Sequence, residues 1–143
     1  MREMPPGVVV TNMQIREYQR WLEAWDRARG WDRVLPAHTL AHAMEEMGEV
    51  ARVVLAWEGY KEGAGPEALR AELAEELSDL LVFLFKLAYQ MGVDVEDALA
   101  AGQAKADGRH ADLAKAEAEL ARYQARQREL ASRWPDAEPE SGE

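Results

Sequence analysis

The predicted fold rests on AHAMEEMGEVARVVLAW at residues 41–57 and LRAELAEELSDLLVFLFKL at residues 69–87. Apolar residues recur at three- and four-residue spacing in both segments, which predicts two amphipathic helices. Each helix carries two acidic residues spaced i, i+3, so their Cβ atoms share one face about 5–6 Å apart. The pairs are Glu46 with Glu49, and Glu76 with Asp79.

Both acidic pairs lie on an apolar stripe. Carboxylates on a core-facing stripe are costly to bury unless they bind a metal, pair with a cation or become protonated. The nearest cationic side chains are His42 and Lys86, and both lie toward the edge of the stripe. We therefore predict one metal site between the two helices; the alternative, in a chain with 27 acidic residues, is solvated surface charge. The residues within about 60° of Glu46 or Glu76 on their helices are Ala43, Val50, Val53 and Trp57, and Leu69, Leu73, Leu80, Phe83 and Leu87.

The order E-E-x-x-E followed by E-x-x-D, at residues 45–49 and 76–79, resembles the signature of the MazG-like all-α nucleoside triphosphate pyrophosphatases. Residues 29–57 are similar to the Trp-containing lead-in and metal helix of the dCTP pyrophosphatase branch, and residues 93–109 resemble the MazG segment that ends in N-x-K-x-x-x-R. The resemblance covers residues 20–110 and implies an antiparallel four-helix bundle that assembles as a homodimer or homotetramer.

Cap and turn signals predict an all-α chain with an extra C-terminal helix and no strand. We divide it into an N-terminal arm (1–10), a MazG-like domain (11–110), a coiled-coil-like helix (111–134) and a disordered tail (135–143). The predicted helices run from a cap at Thr11 or Asn12 to Arg29, from Ala37 to Trp57, from Pro66 to Gln90, from Asp94 to Ala104 before a bend at Gly108, and over 111–133.

The last helix carries its own apolar pattern. Its residues alternate at three- and four-residue spacing over about three heptads, which is typical of a coiled-coil seam. They are Leu113, Ala116, Leu120, Tyr123, Gln127, Leu130 and Trp134.

Composition limits the class of protein. A chain of 143 residues with 48% hydrophobic residues forms one domain with its own core. The net charge of −10 argues against a nucleic-acid partner, which needs a basic surface. The chain has no cysteine and therefore no disulfide or thiolate site. It lacks a signal-peptide pattern and the roughly 18 apolar residues of a membrane span, so we expect a cytoplasmic protein without a membrane partner.

Four carboxylates without Cys or His ligands indicate a hard divalent cation, Mg²⁺ first and Mn²⁺ second. Zinc prefers nitrogen or sulfur, and a di-iron bundle needs Glu-x-x-His twice, a motif that the chain lacks. The resemblance implies hydrolysis of a nucleoside triphosphate between its α and β phosphates, which yields the monophosphate and pyrophosphate. Glu45 and Glu72 lie near the acidic faces and are candidates to orient the water or hold a second cation, or are solvated.

Lys105 and Arg109 match the Lys and Arg of the family's N-x-K-x-x-x-R, with Gln103 in place of the Asn. They are spaced i, i+4 and predict a phosphate clamp; the alternative is an ordinary basic surface pair. Gly108 interrupts this pair.

Trp31 and Trp57 match the Trp pair that sandwiches the base in the dCTP pyrophosphatase branch, and Phe83 stands where that branch has Tyr. Core packing is the alternative for both Trp residues. Two function classes follow: a Mg²⁺-dependent pyrophosphohydrolase of NTPs or dNTPs that cleans the nucleotide pool, and a non-catalytic assembly or regulatory protein on the same scaffold. A phosphoribosyl-ATP pyrophosphatase fits the Trp pair less well.

Overall fold

The computed structural model of the chain describes residues 13–133. The predicted arm, the cap at Thr11 or Asn12, Trp134 and the predicted tail lie outside these residues. The described part contains five α-helices, a short 3-10 helix and no strand, which confirms the all-α prediction. The elements are α1 (Ile15–Arg29), a 3-10 helix (Trp31–Arg33), α2 (Pro36–Trp57), α3 (Pro66–Gln90), α4 (Val95–Arg109) and α5 (Leu113–Ser132).

Helices α2 and α3 form an antiparallel hairpin, which is the most extensive helix–helix contact of the described chain. Both begin with proline, whose fixed φ suits the first helical turn. The ring of His42 stacks on Phe83, and Arg52 donates to Glu72. Residues later in α2 therefore contact residues earlier in α3, as in an antiparallel pair. Burial of Ala43, Val53, Leu69 and Leu80 forms the core of the hairpin.

Helix α1 packs on α3 and holds the turn between α3 and α4. Leu22 is buried, and Tyr18 meets Phe85 edge-on with ring centroids 5.1 Å apart. The side-chain amide of Gln19 donates to the carbonyl of Val93 and its oxygen accepts from the N–H of Val95. The helix begins later than predicted, at Ile15, and ends as predicted at Gly30, whose φ of 72° few other residues adopt.

A buried ionic contact joins α1 to α3. Lys86 Nζ lies 3.2 Å from Asp26 Oδ2, and the hydroxyl of Tyr89 donates to the same oxygen. Burial, followed by this hydrogen bond and the charge of Asp26, raises the pKa of Tyr89. Lys86 therefore pairs with Asp26 of α1, although its place in the sequence suggested a cation near the acidic stripe.

The predicted end of α4 at Ala104 and the bend at Gly108 are wrong. The helix continues through Gly108 to Arg109. Glycine in an exposed helix costs only about 1 kcal/mol relative to alanine, and helix formers on either side offset this cost. No residue of α4 is buried.

The chain divides into two compact units, one up to Ala100 and one from Ala101. In the second unit, the carboxylate of Asp112 caps α5 by accepting from the N–H of Lys115. None of the described helices combines the length and the apolarity that crossing a membrane requires.

Candidate metal centre

Three carboxylates from α2 and α3 converge on one point. Glu46, Glu76 and Asp79 each offer an oxygen atom, and these atoms lie within 4.8 Å of one another. Glu46 and Glu76 are half-buried, whereas Asp79 is exposed. An all-oxygen set of this size with an open side suits a hard divalent cation that keeps waters or takes phosphate oxygens as further ligands. We call these three residues the carboxylate cluster.

Glu49, the fourth predicted ligand, is held by a different partner. Its carboxylate accepts a hydrogen bond of 2.9 Å from Nε of Arg52, three residues along the same helix. The structure therefore brings together three of the four predicted residues. Glu49 is connected to them only through Arg52, which also lies near Glu76.

Arg52 is the cation that sequence reasoning missed. Its Nη2 donates to Glu72 at 2.6 Å and lies 3.5 Å from Glu76, so one guanidinium links α2 to α3. The hydrogen bonds with Glu49 and Glu72 raise the pKa of Arg52. The i, i+3 spacing from Glu49 was the available signal. The helical angle of Arg52 lies outside the acidic stripe, but its long side chain spans the difference.

The environment of Glu76 disfavours its negative charge. Burial raises the pKa of Glu76, and the charge of Glu49 adds to this effect, while Arg52 opposes it. A cation beside Glu76 would offset the same repulsion that now favours its protonation. The electrostatics of the cluster therefore match a site for positive charge.

The two other candidate carboxylates differ in position. Glu45 Oε2 lies 3.0 Å from Nδ1 of His42 on the exposed side of α2. Glu72 contacts Arg52 and so borders the carboxylate cluster. Of the two, only Glu72 is linked to the cluster through a shared partner.

The predicted base-binding residues lie in three separate places. Trp57 is 50% exposed, and the guanidinium of Arg70 lies 5.3 Å from its ring centroid. Trp31 is 51% exposed and meets Trp25 edge-on at 5.2 Å. Helix α2, with 22 residues and a length of about 33 Å, separates the two. Trp31 and Trp57 of one chain therefore cannot stack on the same base.

Phe83 is half-buried, and His42 covers one of its faces at a centroid distance of 5.3 Å. Lys105 and Arg109 are exposed on the continuous helix α4. Because α4 does not bend at Gly108, the two basic residues share one face, one turn apart.

The clefts at the end of α3 lie away from the carboxylate cluster. Two shallow clefts, of about 250 Å³ and 270 Å³, lie on either side of Tyr89 near the end of α3. Neither is lined by Glu46, Glu76 or Asp79. Because Asp79 is exposed, the cluster is open to solvent on that side.

Residues 36–114 match the MazG nucleotide pyrophosphohydrolase domain. This chain belongs to the MazG family. The match contains the whole of α2, α3 and α4 and therefore every residue of the carboxylate cluster. The chain is also 36% identical over 98 residues to the uncharacterized protein YvdC of Bacillus subtilis (strain 168), an alignment that covers 65% of this chain and 92% of that protein.

Proposed function

We propose that the protein is a Mg²⁺-dependent nucleoside triphosphate pyrophosphohydrolase that releases the monophosphate and pyrophosphate from an NTP or dNTP. Mn²⁺ is the second candidate metal. The observation that carries this proposal is the approach of Glu46, Glu76 and Asp79 within 4.8 Å on the paired helices of a MazG-family chain. A house-cleaning role for nucleotide pools follows from the same proposal.

The proposed chemistry divides between the cation and the chain. A bound cation would offset phosphate charge and favour attack by water at phosphorus. Glu46, Glu76 and Asp79 would hold it, with Glu49 joining after release from Arg52. Glu72 is the better placed of the two candidates for orienting the water, because Glu45 is engaged by His42.

Arg52 has two positions in this scheme. Without metal, its guanidinium balances Glu49, Glu72 and Glu76. When a cation replaces that charge, Arg52 becomes available for a phosphate group, because a guanidinium can donate two parallel hydrogen bonds to two phosphate oxygens. Lys105 and Arg109 form a second proposed phosphate-binding pair on α4.

The active site requires a homo-oligomer in our proposal, a dimer or a dimer of dimers. Six large apolar side chains are exposed along the outer face of the α2–α3 hairpin, and the antiparallel register of His42 with Phe83 places those of α2 beside those of α3. An apolar patch this continuous is typical of an interface. A second subunit would also supply Trp31 opposite Trp57. The exposed residues are Leu40, Met44, Met47, Leu77, Leu81 and Leu84.

We propose that the base stacks between Trp57 of one subunit and Trp31 of a second subunit. Phe83 is the third proposed base-binding residue. Trp57 follows Glu46 by eleven residues, or about 16 Å along α2. This distance allows a nucleotide to place its phosphates at the carboxylate cluster and its base on the exposed face of Trp57.

The deciding experiment is pyrophosphate release from a panel of NTPs and dNTPs, with Mg²⁺, with Mn²⁺ and with excess chelator. We expect release with either metal and none with chelator. Metal binding in calorimetry without turnover on any substrate would instead support the non-catalytic alternative. Equal release with and without chelator would contradict the metal-dependent mechanism.

A further inference from the structure

The apolar row of α5 is exposed except at Ala116, which is half-buried. Leu113 is 74% exposed, Leu120 56% and Tyr123 60%. The two polar members of the row are linked to each other, because Nε2 of Gln127 donates to the hydroxyl of Tyr123 at 2.9 Å. We call the row the α5 seam; its described residues are Leu113, Ala116, Leu120, Tyr123, Gln127 and Leu130.

Charged residues flank the seam in an ordered way. In heptad notation, Leu113, Leu120 and Gln127 occupy a positions, and Ala116, Tyr123 and Leu130 occupy d positions. The g positions beside them are acidic in the first half of α5 and basic in the second. They are Asp112, Glu119, Arg126 and Arg133. The e positions are Glu117, Gln124 and Ala131.

A parallel pair of α5 helices has no favourable charge contact. In a parallel coiled coil, each g residue meets the following e residue of the other helix. Asp112 would then face Glu117, which repels it. Glu119 would face Gln124, and Arg126 would face Ala131.

An antiparallel pair is complementary in both charge and shape. When a positions face d positions, g residues meet g residues. Glu119 then faces Arg126 of the second copy, and Asp112 faces Arg133, with each contact made twice by the two-fold symmetry. The apolar layers of the same register are Leu113 with Leu130, Ala116 with Gln127, and Leu120 with Tyr123.

We propose that the α5 seam is a self-association surface whose partner is α5 of a second copy, bound antiparallel. Within one chain Arg126 and Arg133 both contact Glu129, on exposed side chains where such bridges contribute little. These arginines can therefore turn to the second copy at small cost. The proposal does not depend on the enzymatic activity or on the interface at α2 and α3.

Cross-linking of the full-length chain tests the orientation directly, because the natural sequence has no cysteine. Ala116→Cys and Gln127→Cys are made separately, oxidised alone, and oxidised as a mixture after subunit exchange. In the antiparallel register, each position lies about 16 Å along the axis from its own copy, beyond the roughly 7 Å that a disulfide spans between Cα atoms. We expect disulfide-linked dimers in the mixture and not in either variant alone. Arg122→Cys, on the outer face, measures random collision.

A second experiment combines charge reversals with the same two cysteine variants. Glu119→Arg or Arg126→Glu places like charges together in the antiparallel register and should weaken association roughly tenfold. The double reversal restores the attraction and should restore the cross-link. Arg122→Glu, the same charge change away from the seam, should leave it unchanged.

Each outcome decides the proposal. Cross-linking of Ala116→Cys with itself would mean a parallel pair and would overturn it. A mixture yield no higher than that of Arg122→Cys would mean that another surface or protein covers the seam, and would overturn it as well. Failure of the double reversal to rescue the yield would refute the charge pairing on which the orientation rests.

Discussion

Asp79 contributes an exposed carboxylate to a cluster that also holds two half-buried ones. Asp79→Asn keeps the shape and removes one charge. We expect turnover to fall by about 10²–10³-fold, comparable to the loss of one strong transition-state stabiliser. The free energy of unfolding should stay unchanged or rise, because repulsion among the carboxylates falls. Pyrophosphate release and thermal unfolding are measured together. Glu75→Gln removes a charge from the same helix outside the cluster and should keep activity; full activity in Asp79→Asn would refute the assignment.

Arg52 allows a test in which metal and substrate respond in opposite directions. Arg52→Gln frees Glu49 and Glu76 from their counter-ion, so Mn²⁺ should bind about two- to fivefold more tightly in calorimetry without nucleotide, the size expected for exposed ion pairs. KM for the nucleotide should rise, because a phosphate contact is lost. Arg52→Lys keeps the charge but cannot donate two parallel hydrogen bonds. Its Mn²⁺ affinity should return to the weaker wild-type value, whereas its KM should stay raised. Weaker Mn²⁺ binding in Arg52→Gln would contradict the competition between arginine and metal.

The residue scale also shows where prediction from the sequence ends. Spacing and the apolar stripe together predicted the carboxylates of α2 and α3, because i, i+3 neighbours share a face whatever surrounds them. They did not identify Arg52, whose contact with Glu72 crosses between helices. The sequence also did not predict that Arg52 would bind Glu49 and hold it away from the other carboxylates. Side-chain length and tertiary register decide such contacts, and neither is visible on a helical wheel.

At the scale of elements, local signals predicted α2 and α3 closely. Pro36 and Pro66 occupy first turns, and Gly30 ends α1, because each residue type fits the backbone required there. The prediction for α4 was wrong at Gly108, because the helix formers around one glycine outweigh its cost. The contact of Asp26 with Lys86 joins residues 60 positions apart, and no local pattern reports it.

The junction of α1 and α4 predicts a pH dependence of stability. Arg16 donates to Asp94 and, with the N–H of Asp97, holds the pKa of Asp94 below its usual range. A lowered carboxyl pKa contributes stability above the unfolded value of about 4, and this contribution is lost as pH falls through the folded value. Asp94→Asn keeps an oxygen for the N–H of Asp97 and loses the charge. Melting temperatures of wild type and variant should differ at pH 7 and converge in acid; a constant difference would contradict the ion pair.

The end of α2 allows base binding to be separated from core packing. Half of Trp57 is exposed, so Trp57→Ala should cost less stability than the roughly 3–5 kcal/mol of a buried Trp. Stacking on a base contributes about 1–3 kcal/mol, so KM should rise about 5- to 150-fold. Turnover should change far less, because stacking binds ground and transition states alike. An unchanged KM with a lowered melting temperature would assign Trp57 to the core.

For the whole molecule, the exposure of the carboxylate cluster and the separation of the two Trp residues both indicate that a second subunit completes the site. Helix α2, about 33 Å long, separates Trp31 from Trp57, so a base sandwich needs one Trp from each of two subunits. Sedimentation should show at least a dimer at micromolar concentration. Leu81→Asp, on the exposed face of α3, should disrupt the α2–α3 interface and abolish pyrophosphate release while the helix content is retained. Any association that remains in this variant should run through the α5 seam.

Mixing two variants with weakened base binding tests the shared site. Trp31→Ala and Trp57→Ala each damage both sites of their own homodimer. A mixed dimer has one site with both residues intact and one with neither, so random exchange should restore about a quarter of the wild-type sites. Activity at low substrate concentration should therefore rise on mixing, in proportion to the mixed dimers formed. The control repeats the mixture with Leu81→Asp in both chains, which should prevent the rise. Activity that stays at the mean of the two separate variants would place each base site within a single chain.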